Sequence, residues 1–309
     1  MIKTSRSLVD PVALRDHLSE VYGIDFRGCT LIRSLVNDVY HLANSEHSYV
    51  LKLYRAGGRP PAEVRWEAEL ATHLSNAGLA VPQVVPLADG SEVGLLEAAE
   101  GARPYLLSTF VLGTKPRPPF TGELYRSFGE LVATFHDAAD TFRSTNPRRP
   151  ADLHHTLDRP LAEIAPDLAP PDRELLEGLA IAVQDHFARD DGRSWGICHG
   201  DVTLDNILQN GAGLTIHDFD LSAEGYRATD FAGVAGTAHW SSFVDGYTTK
   251  RPIATADLAA IPYLRVVGAI SNLRFHLQDK PLIRGTESLH EGWVDGELDV
   301  LRRAAVDLL

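Results

Sequence analysis

The feature that most constrains the fold is a set of polar residues held between short apolar segments in the second half of the chain. His199, Gly200 and Asp201 stand together, Asn206 comes five residues after Asp201, and Asp218 ends the apolar run LTIH. The surrounding sequence has mainly helical periodicity, so these short β segments are an exception there. The fold must therefore present two carboxylates and an amide from one small β region.

These residue types suit phosphoryl transfer. An aspartate can accept the proton of an acceptor hydroxyl, while an amide oxygen and a second carboxylate can hold the magnesium ion that bridges nucleotide phosphates. The spacing is that of the protein-kinase catalytic and metal motifs, with His-Gly-Asp in place of His-Arg-Asp. We therefore expect Asp201 to be the catalytic base and Asn206 and Asp218 to be the Mg²⁺ ligands. The structural alternative for each is a capping or turn role.

Two longer segments, ICHGDVTLDNIL and IHDFDLSAEGYRATDFAGV, resemble the paired signatures of the aminoglycoside phosphotransferase and choline kinase family, which also includes type II homoserine kinases. The resemblance runs from about Leu31 to Gly246. It implies an α+β, protein-kinase-like fold of two lobes, an N-terminal antiparallel sheet with one helix and a mainly helical C-terminal lobe. It also implies an enzyme that uses ATP (or GTP) and Mg²⁺ on a small-molecule hydroxyl. In relatives the counterpart of Asp230 braces the catalytic loop, and we expect His199 and Asp205 to be structural as well.

Periodicity and turn residues predict the elements of the first part of the chain: a helix over 11–22, two or three antiparallel strands over 29–54, a helix over 61–78, a strand over 105–112 and a helix over 123–142. The proline-rich segment LGTKPRPPF precedes the last of these. We expect a nucleotide-binding lobe over residues 1–112 and a catalytic and substrate-binding lobe over residues 113–309.

Lys52 lies among apolar residues in YVLKLYR, where an unpaired ammonium group would be costly. The resemblance implies that it binds the α and β phosphates and pairs with a glutamate of the following helix. Glu67 is the predicted partner, and Glu63, one helical turn earlier, is the alternative.

Other nucleotide contacts follow from the resemblance alone. Ser34 and Asn37 lie where such kinases fold a hairpin over the phosphates, although serine and leucine replace the glycine often found near its start. The strand that follows is expected to supply backbone groups to adenine near Thr109, Phe110 and Val111.

The residues that would bind the phosphate acceptor are predicted from the resemblance. The family's acceptor segments correspond to six residues of this chain, namely Asp220, Glu224, His239, Trp240, Asp245 and Arg274. The acidic members favour an amine-bearing alcohol, whereas Arg274 would suit a carboxylate such as that of homoserine. We expect an antibiotic-modifying or resistance phosphotransferase, with a metabolic kinase of homoserine or choline type as the alternative.

Composition narrows the partners. The 309 residues carry a formal net charge of −13, with 42 acidic against 29 basic side chains, which disfavours nucleic acid and anionic membrane. The chain has 2 cysteines and neither a signal-peptide pattern nor an apolar run long enough to span a membrane. We expect a cytoplasmic monomer or homodimer.

Three rival functions fit the sequence less well. His217-Asp218 could belong to a His-Asp phosphohydrolase, but those enzymes place the pair on a helix and here it ends a β-like run. A pseudokinase that binds nucleotide without turnover would lack the base, a metal ligand or the lysine. All of these are present, as Asp201, Asn206, Asp218 and Lys52. A protein serine/threonine kinase would show an Ala-Pro-Glu segment, which the sequence lacks.

Overall fold

The computed structural model describes residue 2 and residues 4–189, 192–211 and 213–309. The chain forms two compact units, each built from separate stretches of sequence. Unit 1 comprises Met1–Pro118, Asp137–Arg148 and Leu204–Asp220, and unit 2 comprises Pro119–His136, Arg149–Thr203 and Leu221–Leu309. The lobe boundary between residues 112 and 113 stays a prediction.

Unit 1 is organised around an antiparallel sheet. Its strands are β1 (Gly28–Ser34), β2 (Asp38–Ala43), β3 (Ser48–Leu53), β4 (Val93–Ala98) and β5 (Gly101–Thr109), in the order β1-β2-β3-β5-β4. Helix α1 (Pro11–Tyr22) and helix α2 (Pro61–Asn76) accompany it, and so does the hairpin of β7 (Ile207–Asn210) and β8 (Gly213–Ile216).

The two faces of the sheet have different partners, because successive side chains of a strand point to opposite sides. Tyr40, paired with Leu51, lies in a buried apolar cluster with Leu14 and Leu18 of α1. Lys52 and Leu106 pair on the other face, and Leu106 packs with α2 residues. Lys52 is therefore on the α2 face.

Helix α1 illustrates how local sequence sets an element. Asp10 caps its first turn by accepting hydrogen bonds from the N–H groups of Val12 and Ala13. The helix ends at Gly23, whose φ of 64° lies in the left-handed region that glycine adopts without strain.

Unit 2 is mainly helical. Its helices are α4 (Arg159–Ile164), α5 (Pro170–Phe187), α6 (Thr229–Ala232), α7 (Trp240–Thr248), α8 (Thr255–Arg274), α9 (Lys280–Arg284) and α10 (Trp293–Leu308). Helix α3 (Gly122–Ala139) runs from unit 2 into the part of the chain that belongs to unit 1. Strands β6 (Trp195–Cys198) and β9 (Ala223–Tyr226) form an antiparallel pair in unit 2.

The predicted α+β class and its sheet-then-helices order are confirmed. Two local expectations were wrong. Strand β4 was missed, because VGLLEA does not alternate clearly and follows a turn. The strand expected over 105–112 begins at Gly101 and ends at Thr109. Within the described residues, no helix is long and apolar enough to cross a membrane.

Candidate active site

Lys52 is the centre of a charged cluster in unit 1. Its Nζ lies 3.2 Å from Glu67 Oε1, 2.8 Å from Asp218 Oδ1 and 3.8 Å from Asp220 Oδ2. Burial alone would lower the pKa of Lys52, but Asp220 and Glu67 raise that pKa above its usual range. Lys52 is therefore held as a cation. The sequence analysis predicted Glu67 as the partner of Lys52. The alternative, Glu63, pairs with Arg59 at 2.9 Å.

Asp218 follows β8 in an unusual backbone conformation. Among the described residues it is the only non-glycine residue with a positive φ, at 68°. Aspartate tolerates this region better than most residues, and such conformations concentrate at functional sites. Burial alone would raise the pKa of Asp218, but Lys52 and Arg33 hold that pKa well below its usual range. The carboxylate is therefore ionised at neutral pH.

Asn206 and Asp218 lie at the same end of the β7–β8 hairpin. The register pairs Ile207 with Ile216, and the next N–H, that of His217, donates to the carbonyl of Asn206 over 3.1 Å. Magnesium in nucleotide sites is usually held by one or two carboxylate or amide oxygens, with phosphate oxygens and water completing its shell. An amide and an ionised carboxylate at one hairpin end fit that ion. Within residues 4–189, 192–211 and 213–309, no cluster of three His, Cys, Asp or Glu offers an all-protein metal cage.

Asp220 lies in this cluster of unit 1. It pairs with Arg59 at 3.1 Å and accepts a hydrogen bond from the Asn37 amide over 3.1 Å. Arg59 and Arg148 also donate to the Asp220 carbonyl oxygen, and Arg148 reaches that of Phe219 at 3.5 Å. Two arginines thus fix the turn that carries Asp218. Sequence reasoning missed both, since nothing local connects Arg148 with a carbonyl 72 residues away.

Ser34, predicted to face the phosphates, directs its hydroxyl elsewhere. Its Oγ donates to Asp38 Oδ1 over 2.6 Å and accepts from Arg6 over 2.6 Å. Asp38 is fully buried and also pairs with the buried Arg103 at 2.7 Å. Asp38 pairs in register with Leu53, so this network is on the α1 face, opposite to Lys52. The part that Ser34 plays toward nucleotide stays a prediction.

The expected adenine strand ends at Thr109. The N–H of Thr109 donates to the Gln83 carbonyl over 2.9 Å, and the N–H of Phe110 donates to the Ser48 carbonyl over 3.0 Å. Adenine recognition by these residues and by Val111 stays a prediction.

The loop that carries Asp201 belongs to unit 2 and follows β6. Asp230 accepts hydrogen bonds from the N–H groups of His199 at 2.7 Å and Gly200 at 2.8 Å. The φ of Gly200 is 82°, and a Cβ there would lie 2.4 Å from the carbonyl oxygen of Leu221. Only glycine fits this position. The N–H of Asp201 lies 3.3 Å from His199 Nδ1, as expected of a histidine that orients the loop.

Behind this loop is a fully buried relay that the sequence did not reveal. His136 Nε2 lies 2.9 Å from Asp230 Oδ2, and its Nδ1 lies 2.8 Å from the Tyr247 hydroxyl. Burial lowers the pKa of His136, against the opposing effect of Asp230. We infer a neutral imidazole that donates from Nε2 to Asp230 and accepts at Nδ1 from Tyr247. His136 thus acts on the loop through Asp230.

Asp220, one of the residues predicted for the acceptor, lies in unit 1, and the other five are spread over unit 2. Glu224 is exposed on β9, and Asp245 lies 3.4 Å from Arg126. The His239 ring lies 5.0 Å from that of Tyr125, and Trp240 stacks on Phe243.

Arg274, at the end of α8, already has two anionic partners. It pairs with Glu163 at 2.7 Å and with Asp279. A substrate carboxylate would have to compete with both. The role of Arg274 toward the acceptor stays a prediction.

Residues 29–257 match the phosphotransferase enzyme family. An uncharacterized protein of Deinococcus radiodurans is 37% identical over 85% of this chain and 81% of its own length. A homoserine kinase of Mesorhizobium japonicum is 29% identical over 79% of this chain and 78% of its own length.

Solved structures agree with the fold. An amicoumacin kinase in complex with AMP-PNP, Ca²⁺ and its ligand superimposes with a TM-score of 0.80 at 16% identity, covering 97% of this chain and 94% of its own. A microcompartment-associated aminopropanol kinase gives a TM-score of 0.75 at 22% identity, covering 96% and 98%. At these identities the likeness establishes the fold alone.

Proposed function

This chain belongs to the phosphotransferase enzyme family, and we propose that it transfers the terminal phosphoryl group of ATP to a hydroxyl of a small amino alcohol. The observation that carries the proposal is the Lys52 cluster of unit 1. A partly buried lysine held by Glu67 beside Asp218, with Asn206 at the same hairpin end, is the set of groups needed to bind and neutralise nucleotide phosphates.

Each of these groups has its own role in binding the nucleotide. Magnesium, when bound by Asn206 and Asp218, supplies charge neutralisation on the phosphates. Lys52 donates to phosphate oxygens, and Glu67 fixes the lysine in position. Arg59 and Arg148 hold the turn after β8, so Asp218 keeps its strained conformation.

Asp201 is the proposed catalytic base. It accepts the proton of the acceptor hydroxyl while that oxygen attacks the terminal phosphorus and ADP leaves. The loop is held by Asp230, with His136 and Tyr247 behind it, so the carboxylate is oriented before the acceptor arrives.

The names of the relatives and the charge of the chain favour a small amino alcohol as the acceptor. Homoserine is in the name of a sequence relative above, and aminopropanol is in the name of a structural neighbour. Both compounds carry an amino group and a hydroxyl. A chain with a net charge of −13 and exposed carboxylates such as Glu224 suits a cationic amine. A metabolic amino alcohol is favoured over an antibiotic, because several named relatives matched over most of the chain are homoserine kinases.

A coupled assay of ADP or GDP release tests the proposal. Purified protein with MgATP or MgGTP is offered homoserine, 1-amino-2-propanol, choline and spectinomycin, and the product is identified by mass spectrometry. We expect a phosphate ester of homoserine or aminopropanol. Phosphorylation of spectinomycin alone would support the antibiotic role, and no ester from any member of the panel would contradict the amino-alcohol proposal.

A further inference from the structure

Strand β1 contains one extra residue that changes which side chain lies beside Lys52. Leu31 pairs with Tyr40, but the next pair joins Arg33 to Val39, so the register shifts across Ile32. In a regular ladder Ile32 would have paired with Val39, and Arg33 would have pointed to the other face. Bulges of this kind re-aim side chains and recur next to active sites.

The shift puts Arg33 on the same face of the sheet as Lys52. Val39 pairs with Arg33 on one side and with Lys52 on the other, and directly paired residues share a face. Neighbouring strands are about 4.8 Å apart, so the two cations project from positions roughly 10 Å from each other. Arg33 Nη2 lies 3.7 Å from Asp218 Oδ2, while Lys52 binds Oδ1 of the same carboxylate.

This pair does not have the features of a structural ion pair. The Arg33 side chain is 58% exposed, and exposed pairs of this kind contribute little to stability. The separation of 3.7 Å is also too long for a direct hydrogen bond. Arg33 can therefore leave Asp218 at small cost when another anion is present.

The hairpin between β1 and β2 does not have the backbone conformation that glycine-rich loops use to bind phosphate. Glycine-rich phosphate loops use successive backbone N–H groups, which requires left-handed residues. No residue from 34 to 37 has a positive φ, since Asp218 is the only non-glycine residue among those described that does. The Leu35 N–H donates to the Asn37 carbonyl, and the Ser34 hydroxyl is bound on the opposite face. A guanidinium group, whose donors match phosphate oxygens, would supply what the backbone does not.

We propose that Arg33, aimed by the bulge at Ile32, binds the terminal phosphates of the nucleotide beside Lys52. The inference rests on the proposed ATP-dependent function and adds a phosphate-binding residue to it. Asp218 would hold Mg²⁺ together with Asn206, and the Arg33 guanidinium would then contact phosphate oxygens in place of that carboxylate. The negative charge of the nucleotide phosphates is thus neutralised by two cations, Lys52 and Arg33.

Nucleotide affinity measured by calorimetry without acceptor tests the proposal. The variants are Arg33→Gln and Arg33→Lys, and Arg27→Gln is the matched control, because Arg27 is an exposed arginine just before the same strand and its carboxylate partner, Asp25, is 88% exposed. We expect Arg33→Gln to weaken MgATP binding about tenfold, the size expected for one lost charge-assisted contact. AMP binding should be unchanged, Arg33→Lys should be intermediate, and the control should match the wild type.

The comparison across nucleotides separates a phosphate contact from a structural effect. Equal weakening of MgATP and AMP by Arg33→Gln, or an equal effect of Arg27→Gln, would overturn the assignment. So would unchanged MgATP affinity in Arg33→Gln. A wild-type protein that binds no MgATP would contradict the proposed function itself. If the wild type binds MgATP and Arg33→Gln binds it with the same affinity, only the role of Arg33 is contradicted.

Discussion

Replacing Glu67 with glutamine tests the electrostatic logic of the nucleotide site. Glu67 and Lys52 side chains are 4% and 15% exposed, so their pair is largely shielded from water. Removing one partner of such a pair costs about 3–5 kcal/mol when the remaining charge is left alone. Here Lys52 keeps Asp218 at 2.8 Å and Asp220 at 3.8 Å, and glutamine keeps an acceptor oxygen.

The expected loss is therefore that of a single hydrogen bond to a charged group, about 1.5–3 kcal/mol. Burial already raises the pKa of Glu67, which shows that its ionised form is held at a cost, so we expect the stability loss to fall near the lower limit. Without Glu67, Lys52 is drawn toward Asp218, the proposed metal ligand. The same free energy lost from the transition state corresponds to a decrease of about 10- to 100-fold in kcat/KM for MgATP.

Two measurements decide the outcome, namely denaturant unfolding and initial rates at varied MgATP. Glu97→Gln, an exposed position on β4, is the matched control and should leave both quantities unchanged. A Glu67→Gln protein with wild-type kcat/KM for MgATP would refute the reasoning, whatever its stability. Equal effects in the control would also refute it.

Two further predictions concern titration. The pKa of Asp218 is held below 3.8, its ordinary value, so the stability contributed by its ionisation is present above pH 3.8 and lost below it. The difference in unfolding free energy between wild type and Asp218→Asn should therefore shrink only below that pH, while Mg²⁺-dependent turnover of the variant is lost at every pH. The pKa of buried His136 lies below 6.5, so the unfolded chain takes up its proton first and stability falls as the pH falls below 6.5; His136→Gln should flatten that slope in pH-dependent denaturation, and an unchanged slope would contradict the neutral relay.

The residues that the sequence alone proposed for the candidate site are those whose chemistry is local. Asp201 and Asn206 lie in one short segment, so their residue types and spacing carry the information. Lys52 was predicted because a charged residue in an apolar strand needs an anion, and the structure pairs it with Glu67.

The parts that escaped prediction depend on register or on distant contacts. Arg33 reaches the Lys52 face only because one residue is inserted in β1, and no propensity marks that insertion. Arg148 acts through backbone carbonyls 71 and 72 residues away. His136 lies on a helix among apolar residues and meets Asp230 across 94 positions. Such contacts are set by tertiary packing, which periodicity does not encode.

The most direct test of phosphoryl transfer to a hydroxyl uses Asp201→Asn under single-turnover conditions with γ-labelled ATP and the acceptor that the panel identifies. Asparagine keeps the size of the side chain but cannot take the proton. We predict that MgATP affinity and melting temperature stay at wild-type values while the rate of ester formation falls about 10²- to 10⁴-fold, the range for loss of a general base. A folded, nucleotide-binding Asp201→Asn protein that forms the phosphate ester at the wild-type rate would contradict the account.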